Sequence, residues 1–152
     1  MEISKCSVRD VPRLAAMNKC LIDDEKSSNP MNTGELEKRM EEFILGDYDA
    51  YFFMDNGTVI GYALVRRSPK PVYLRQFFID RNCRRKHLGK EAFAELMNVL
   101  QADEISIDVL PWNKAGVSFW KSLGFSETCI SMTYRRQPDQ EDMKEADHGH
   151  FF

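Results

Sequence analysis

The sequence VYLRQFFIDRNCRRKHLGKEAFAELMNVL, residues 72–100, carries the pattern on which the fold depends. Its first part, Val72–Ile79, is mostly aromatic and apolar and predicts a strand. Its last part, Leu88–Leu100, repeats apolar residues at helical spacing and predicts a helix. Polar and apolar residues then alternate over 104–110, which predicts another strand. A strand, a helix and a strand in this order form a crossover, which makes the two strands parallel.

The rest of the chain predicts helices and antiparallel strands around this crossover. Asp55-Asn56-Gly57 predicts a hairpin turn, because Asn and Gly adopt positive φ easily. The predicted order is β-α-α-β-β-β-α-β-α-β, which indicates an α/β fold whose mixed, largely antiparallel sheet is flanked by helices. Besides the elements above, we predict strands over 3–8, 50–54, 58–67 and 125–135, and helices over 11–23, 35–45 and 113–123.

The composition is that of an ordinary soluble protein. The 152 residues are 43% hydrophobic and 30% charged, which suits one domain, predicted over 1–136. A net charge of −3 gives no reason to expect nucleic acid as a partner.

Since no apolar run resembles a signal peptide or a membrane span, we expect a cytoplasmic protein without a membrane partner. The polar, acidic segment 137–152 is predicted to be a disordered tail.

The cysteines and histidines do not predict a metal site. The four cysteines are far apart and none forms a CxxC pair, so reduced thiols are expected. His148 and His150 lie in the predicted tail, where we expect disorder rather than a metal. No metal is therefore predicted.

A basic loop, residues 80–87, joins the strand Val72–Ile79 to the helix that begins at Leu88. Together they read DRNCRRKHLGK over 80–90. The first N–H groups of a helix have no partner within it and carry a partial positive charge, so a diphosphate is a natural ligand there. Gly89 removes a side chain where the backbone would approach such a ligand. A solvated run of charges is the competing interpretation, and the loop matches neither a Walker nor a Rossmann motif.

A second motif follows the predicted strand over 104–110. Residues 113–125 read NKAGVSFWKSLGF, with Asn113, Ala115, Phe119-Trp120 and Leu123-Gly124-Phe125 in order. Together with Arg84 and Gly89, this motif resembles the GNAT superfamily of acyl-CoA-dependent N-acyltransferases, whose diphosphate signature is [RQ]xxGx[GA]. His87 stands where that signature usually has Gly. The resemblance covers residues 3–135, element by element.

The resemblance implies that the central parallel strands splay apart and that acetyl-CoA binds in the opening as a cosubstrate. Backbone groups of one strand would bind the pantetheine arm, and the amides of 85–90 would bind the diphosphate. The implied coenzyme-binding residues are Phe77, Phe78, Ile79, Arg84, Arg85, Lys86, His87, Leu88, Gly89, Lys90, Asn113, Phe119 and Trp120. For Asn113, capping of the following helix is an additional or alternative role. Core packing is the alternative role of Phe119 and Trp120.

The activity implied by the resemblance is transfer of an acetyl group from acetyl-CoA to a primary amine, by direct attack in a ternary complex. Many relatives have Tyr at the position of Trp120 to protonate the leaving thiolate, whereas an indole N–H only donates a hydrogen bond. A thiolate is an acceptable leaving group without full protonation, since the pKa of a thiol is about 8.5. The sequence identifies no catalytic residue; Tyr73 and Tyr134 are the candidates.

The acceptor is expected to be a small-molecule or protein amine. Asp23, Asp24 and Glu25 lie in the predicted loop between the first two helices, which borders the acceptor site in this family, and could attract a cationic amine. A solvated loop is the alternative. A homodimer is a further expectation from the resemblance. Two other functions remain open: a non-catalytic acyl-CoA sensor, and an interaction domain that uses the basic residues between Arg66 and Lys90.

Overall fold

The computed structural model describes residues 1–137, without the side chains of Arg85 and Lys86. It is a mixed α/β structure, as the sequence predicts. The strands are β1 (Glu2–Lys5), β2 (Tyr48–Asp55), β3 (Thr58–Arg66), β4 (Val72–Ile79) and β5 (Ile105–Ile107), and the helices are α1 (Val11–Asp24), α2 (Thr33–Leu45), α3 (Leu88–Leu100) and α4 (Lys114–Ser122). Short 3-10 turns span Val8–Asp10 and Arg81–Lys86. No helix in the described part is long and apolar enough to cross a membrane.

The strands form one sheet in the order β1-β2-β3-β4-β5. Every neighbouring pair is antiparallel except β4 and β5, which are parallel as the crossover predicts. The parallel pairing covers three residues of each strand and ends where Leu74 faces Ile107. Because β4 continues to Ile79, the two strands part beyond this point. The sheet therefore opens between β4 and β5.

Two apolar layers cover the two faces of the sheet. On one face, α3 packs Ala92 and Leu96 against the central strands. On the other face, α1 and α2 contribute Leu14 and Met40. Local signals fix the ends of these elements: the side chain of Asn32 accepts from the amide of Glu35 at 2.9 Å and caps α2, and the hairpin turn has the expected positive φ at Asn56.

A β-bulge in β4 changes which face its residues occupy. Strict alternation predicts that Tyr73, Arg75 and Phe77 share one face. In the sheet, Val65 of β3 pairs with Leu74 and Leu64 pairs with Gln76, so Arg75 is the extra residue. Tyr73 consequently packs on the α1–α2 side and Phe77 on the α3 side.

The predicted last strand, over 125–135, is wrong. The described residues from 125 to 137 belong to no strand, and Ile130 and Met132 are 81% and 88% exposed. Alternation shows only that a segment can form a strand, whereas pairing also requires a sheet edge of matching length. The adjacent edge, β5, has three residues, fewer than the predicted 104–110. The predicted disordered tail lies, apart from residue 137, outside the described residues.

Candidate active site

A cleft of about 450 Å³ occupies the opening between β4 and β5. Its walls come from β4, the end of α1, the basic loop, the start of α3, the end of β5 and α4. The cleft brings together most of the residues that the sequence singled out: Asp24, Glu25, Phe77, Phe78, Ile79, Arg84, His87, Gly89, Lys90, Asn113, Phe119 and Trp120. Leu88 is buried beside them in the α3 layer. The side chains of Arg85 and Lys86 lie outside the described part of the structure.

The start of α3 forms one end of the cleft. The first bond inside the helix runs from the amide of Glu91 to the carbonyl of His87, at 3.3 Å. The amides of Leu88, Gly89 and Lys90 precede it and have no partner within the helix. A Cβ at Gly89 would lie 3.2 Å from the ring of Phe119, so Gly at this position lets α3 approach α4 closely.

His87 has a left-handed backbone, with φ of 58°. Gly, which the family signature usually has at this position, adopts this conformation most easily. A residue with a Cβ adopts it at a cost of about 1 kcal/mol. The turn that leads into α3 is therefore made without Gly, and it still leaves the helix amides directed at the cleft.

Arg84 is held by three contacts beside this helix start. Its Nε donates to the carbonyl oxygen of Ile79 at 2.8 Å, and its guanidinium lies 5.7 Å from the centre of the Phe78 ring. Its Nη2 donates to the carboxylate of Asp24, which also accepts from Arg81 at 2.7 Å. Arg84 thereby joins the basic loop to the end of β4 and to α1.

The carboxylates at the end of α1 have opposite pKa shifts. Burial alone would raise the pKa of Asp24, but the hydrogen bonds and charges of Arg84 and Arg81 outweigh it and hold this pKa below its usual value. Burial raises the pKa of Glu25, and the charge of Asp24 adds to the effect. Asp23 lies outside the cleft and faces Lys19 at 3.8 Å. The predicted loop residues thus belong to the end of a helix, and only two of the three reach the cleft.

Trp112, in the segment between β5 and α4, contacts the end of α1 beside the cleft. Its Nε1 donates to the backbone carbonyl of Glu25 at 3.1 Å, and its side chain is 57% exposed. A recess of about 280 Å³ lies beneath it, lined also by Lys26 and Asn113. This bond connects the end of α1 to the segment before α4.

The aromatic residues of α4 have the packing role, and they also line the cleft. Phe119 stacks on Phe77 with ring centres 6.1 Å apart, and Trp120 meets Phe77 edge-on at 5.1 Å. Trp120 also packs against Phe93 and Phe125. Both residues line the cleft as well, so the packed layer forms its floor.

Asn113 caps α4, and its side-chain oxygen accepts from the amide of Gly116 at 3.0 Å. Asn113 also lines the cleft, next to Ala115 and Gly116. Asn113 therefore caps α4, and its position in the cleft wall is compatible with an additional contact to a bound coenzyme.

A family model agrees with this geometry. The model described as the acetyltransferase (GNAT) family matches residues 18–125. The match extends over more than half of the chain and includes β4, the basic loop, α3 and α4. The chain belongs to the acetyltransferase (GNAT) family. It is accordingly an acetyltransferase, and the cleft at the splayed strands is its candidate active site.

Solved structures share this GNAT fold. A possible acetyltransferase from Clostridium difficile 630 aligns with a TM-score of 0.73 and 16% identity, covering 90% of this chain and 97% of the other. Aminoglycoside N-acetyltransferase AAC(6')-Iy in complex with CoA gives 0.70 and 19%, covering 90% and 94%. A ribosomal-protein-alanine N-acetyltransferase from Brucella melitensis biovar Abortus 2308 gives 0.67 and 12%, covering 89% and 99%. Among curated proteins, none gives a significant match in sequence.

The two tyrosines proposed as catalytic residues of this GNAT protein lie outside the cleft lining. The hydroxyl of Tyr73 donates to the carboxylate of Asp108 at 2.8 Å, and burial together with Asp108 raises the pKa of Tyr73 to about 12. Asp108 itself lines the cleft. Tyr134 is 74% exposed in the segment after α4. Tyr73 therefore reaches the site through Asp108, and Tyr134 is not among the residues that line the cleft.

Sequence reasoning missed three groups in the GNAT cleft. Arg75, Gln76 and Asp108 line it, and the side chain of Gln76 accepts from the buried hydroxyl of Tyr62 at 2.8 Å. Asp108 could have been found, because the polar residue that follows a strand at a sheet opening often lies in a site. The position of the Arg75 side chain in the cleft depends on the bulge, and the sequence gives no clear signal for a bulge.

Proposed function

We propose that this acetyltransferase transfers an acetyl group from acetyl-CoA to a primary amine, by direct attack in a ternary complex. The observation that carries the proposal is the cleft that opens between β4 and β5 and ends at the start of α3. One side of this space offers helix amides for a phosphate group, and the other offers carboxylates for a cationic amine.

The coenzyme diphosphate would bind at the start of α3. The amides of Leu88, Gly89 and Lys90 would donate to its oxygens, and the helix dipole favours an anion there. The ammonium of Lys90, at the cleft wall, would add charge. Arg84 would contribute its remaining donors, since its contacts to Ile79 and Asp24 already fix its position.

The pantetheine arm would follow the exposed edge of β4. Beyond Leu74 this edge has no neighbouring strand in the sheet, so the backbone groups of Phe77–Ile79 can pair with an amide-containing ligand as they would with a strand. The rings of Phe119 and Trp120 would exclude water from this arm. The thioester would then lie near the bulge at Arg75, where β4 has one residue more than its partner strand.

The chemical step needs positioning and one proton acceptor. The amine nitrogen forms a bond to the thioester carbonyl carbon, the carbon–sulfur bond breaks, and the nitrogen loses a proton. Holding both substrates in one cleft supplies much of the rate. Glu25 is the candidate base, because it lines the cleft and its pKa is raised by burial. Trp120 would not protonate the thiolate, which can leave unassisted.

The test is acetyl-CoA titration by calorimetry, followed by measurement of free thiol with a panel of primary amines. We expect binding of acetyl-CoA and amine-dependent thiol release. A reaction without amine is essential, because Cys20 and Cys129 are exposed and react with thiol reagents. Lys90→Ala should weaken binding severalfold, whereas Lys38→Ala, on the exposed face of α2, should not. No heat with acetyl-CoA would overturn the proposal, and binding without turnover of any amine would favour a sensor.

A further inference from the structure

One arginine of the cleft wall has no carboxylate partner within residues 1–137, and it lies on β4 away from the start of α3. Arg75, the bulge residue of β4, lines the cleft, and its guanidinium lies 4.8 Å from the centre of the Phe43 ring. Arg39 of α2 approaches the same ring, at 5.5 Å. Two guanidinium groups are therefore held around one aromatic side chain.

Neither guanidinium is paired with a carboxylate in the part of the chain that the structure describes. Arg39 donates from Nη2 to the buried side chain of Asn18 at 3.1 Å, but its Nε is buried and has no hydrogen-bond partner. The charge of Arg75 also contributes, after burial, to lowering the pKa of Arg39. Arg84, in contrast, is neutralised by Asp24.

Arg75 is too far along β4 to bind the coenzyme diphosphate. Arg75 precedes Ile79 by four residues, which is about 13 Å of strand. The anion that Arg75 would bind is therefore a second one, beyond the thioester and on the α1–α2 side of the sheet. A guanidinium binds a carboxylate through two parallel hydrogen bonds, which makes a carboxylate a suitable ligand.

The cleft also offers carboxylates for an ammonium group. Glu25 and Asp108 both line it. A cleft of about 450 Å³ that also admits the thioester arm leaves room for a small acceptor only. Positive charge at Arg75 repels a polycation, so the arrangement favours an acceptor with charges of both signs.

We infer that the acceptor is a small amine that also carries a carboxylate, and that Arg75 binds this carboxylate with Arg39 reinforcing the positive field. This inference rests on the proposed function, since it names the class of acceptor for the same cleft. Arg75 is thus a specificity-determining residue of the acetyltransferase.

The experiment compares amino acids with their carboxamides as acceptors at saturating acetyl-CoA. We expect kcat/KM to be at least about tenfold higher for the acids, equivalent to about 1.4 kcal/mol, and a polyamine to be the poorest acceptor. Amidation lowers the pKa of the amine and raises its neutral fraction, so the measured preference would underestimate the effect of the carboxylate.

Two variants assign the preference to Arg75. Arg75→Ala and Arg75→Gln should reduce the ratio of acid to amide to near one, with acetyl-CoA affinity unchanged. Arg13→Ala is the matched control, because Arg13 is also exposed and lies 5.8 Å from a ring, that of Phe52, but does not line the cleft. It should keep the preference.

Other outcomes separate this inference from the proposed function. If amines are acetylated but acids and amides react equally, or if both Arg75 variants keep the preference, the inference is wrong and the function stands. If no amine is acetylated, the CoA-bound protein is titrated with the same amino acids by calorimetry. Binding that Arg75→Ala abolishes would support the carboxylate site without the activity. No binding would overturn both the carboxylate site and the proposed function.

Discussion

The carboxylate of Asp24, at the end of α1, is paired with the guanidinium of Arg84 in the basic loop. The two residues are 60 positions apart in the chain. Since Asp24 of α1 and Arg84 of the basic loop both line the cleft, one ion pair connects two of its walls. This connection has measurable consequences for stability.

Asp24→Asn should destabilise the protein at neutral pH by about 0.5–1 kcal/mol, the range for ion pairs partly open to solvent. The pKa of Asp24 is lowered in the folded state, so its stabilising effect is present above the unfolded-state pKa and is lost as the pH falls through the folded-state pKa. Urea unfolding at neutral and strongly acidic pH should show a difference between variant and wild type that disappears at the acidic end. Asp23→Asn is the control, because Asp23 is exposed and forms only a long pair with Lys19. A difference that persists in acid would contradict the assignment to this carboxylate.

His87→Gly should stabilise the protein by up to about 1 kcal/mol, because Gly removes the Cβ from a left-handed residue. Acetyl-CoA should still bind, since the amides at the start of α3 are unchanged. His87→Ala removes the imidazole but keeps the Cβ, so it should give no comparable gain in urea unfolding. A stabilised Ala variant would show that the ring, and not the backbone, determines the effect.

Gly89→Ala should lower stability by about 1–3 kcal/mol and weaken acetyl-CoA binding, because the new methyl group crowds the ring of Phe119 at the junction of α3 and α4. Combining it with Phe119→Leu should recover part of the loss, so that the two changes are not additive. The measurements are urea unfolding of the two single variants and the double variant, and calorimetry for each. If the losses of stability from the two single changes simply add in the double variant, the new methyl group does not crowd the ring of Phe119.

Asn113→Ala should cost about 1 kcal/mol through loss of the α4 cap. Asn113→Asp keeps a capping oxygen and should retain stability. Comparison of acetyl-CoA affinity between Asn113→Asp and the wild type then isolates any contact of the Asn113 amide NH2 with the coenzyme, because this variant keeps the capping oxygen and loses only the NH2 group. Equal destabilisation of both variants in urea would contradict the capping role.

Glu25→Gln should lower kcat without changing acetyl-CoA affinity. A base must be deprotonated to act, so kcat/KM of the wild type should rise with pH through the raised pKa of Glu25. The variant should lose this rising limb, whereas Asp23→Asn should keep it. A pH profile that the Gln substitution leaves unchanged would exclude Glu25 as the base.

The elements of the chain that are set by local pattern were predictable from the sequence. The strand Val72–Ile79 and the helix Leu88–Leu100 have the predicted bounds, since periodicity and the intervening basic loop are local signals. The cap at Asn113 and the turn at Asn56 are likewise local. The parallel pairing of β4 with β5 follows from the crossover rule, which needs only the order of the elements.

The parts that depend on distant contacts were not predictable. The ion pair of Asp24 with Arg84 joins residues that share no sequence spacing. The bulge at Arg75 arises from the register of β4 against β3, and it reverses the face that alternation assigns to Phe77. The strand predicted over 125–135 has the right alternation but no strand partner among the described residues, and alternation alone cannot supply one.

The bond between Trp112 and the carbonyl of Glu25 gives the molecule a built-in optical reporter. The chain contains two tryptophans, and they differ in environment: Trp112 is largely exposed beside the cleft, and Trp120 is packed among phenylalanine rings. Intrinsic tryptophan fluorescence of a Trp120→Phe variant would come from Trp112 alone. Its emission would report any change in the contact between α1 and the segment before α4, without any attached dye.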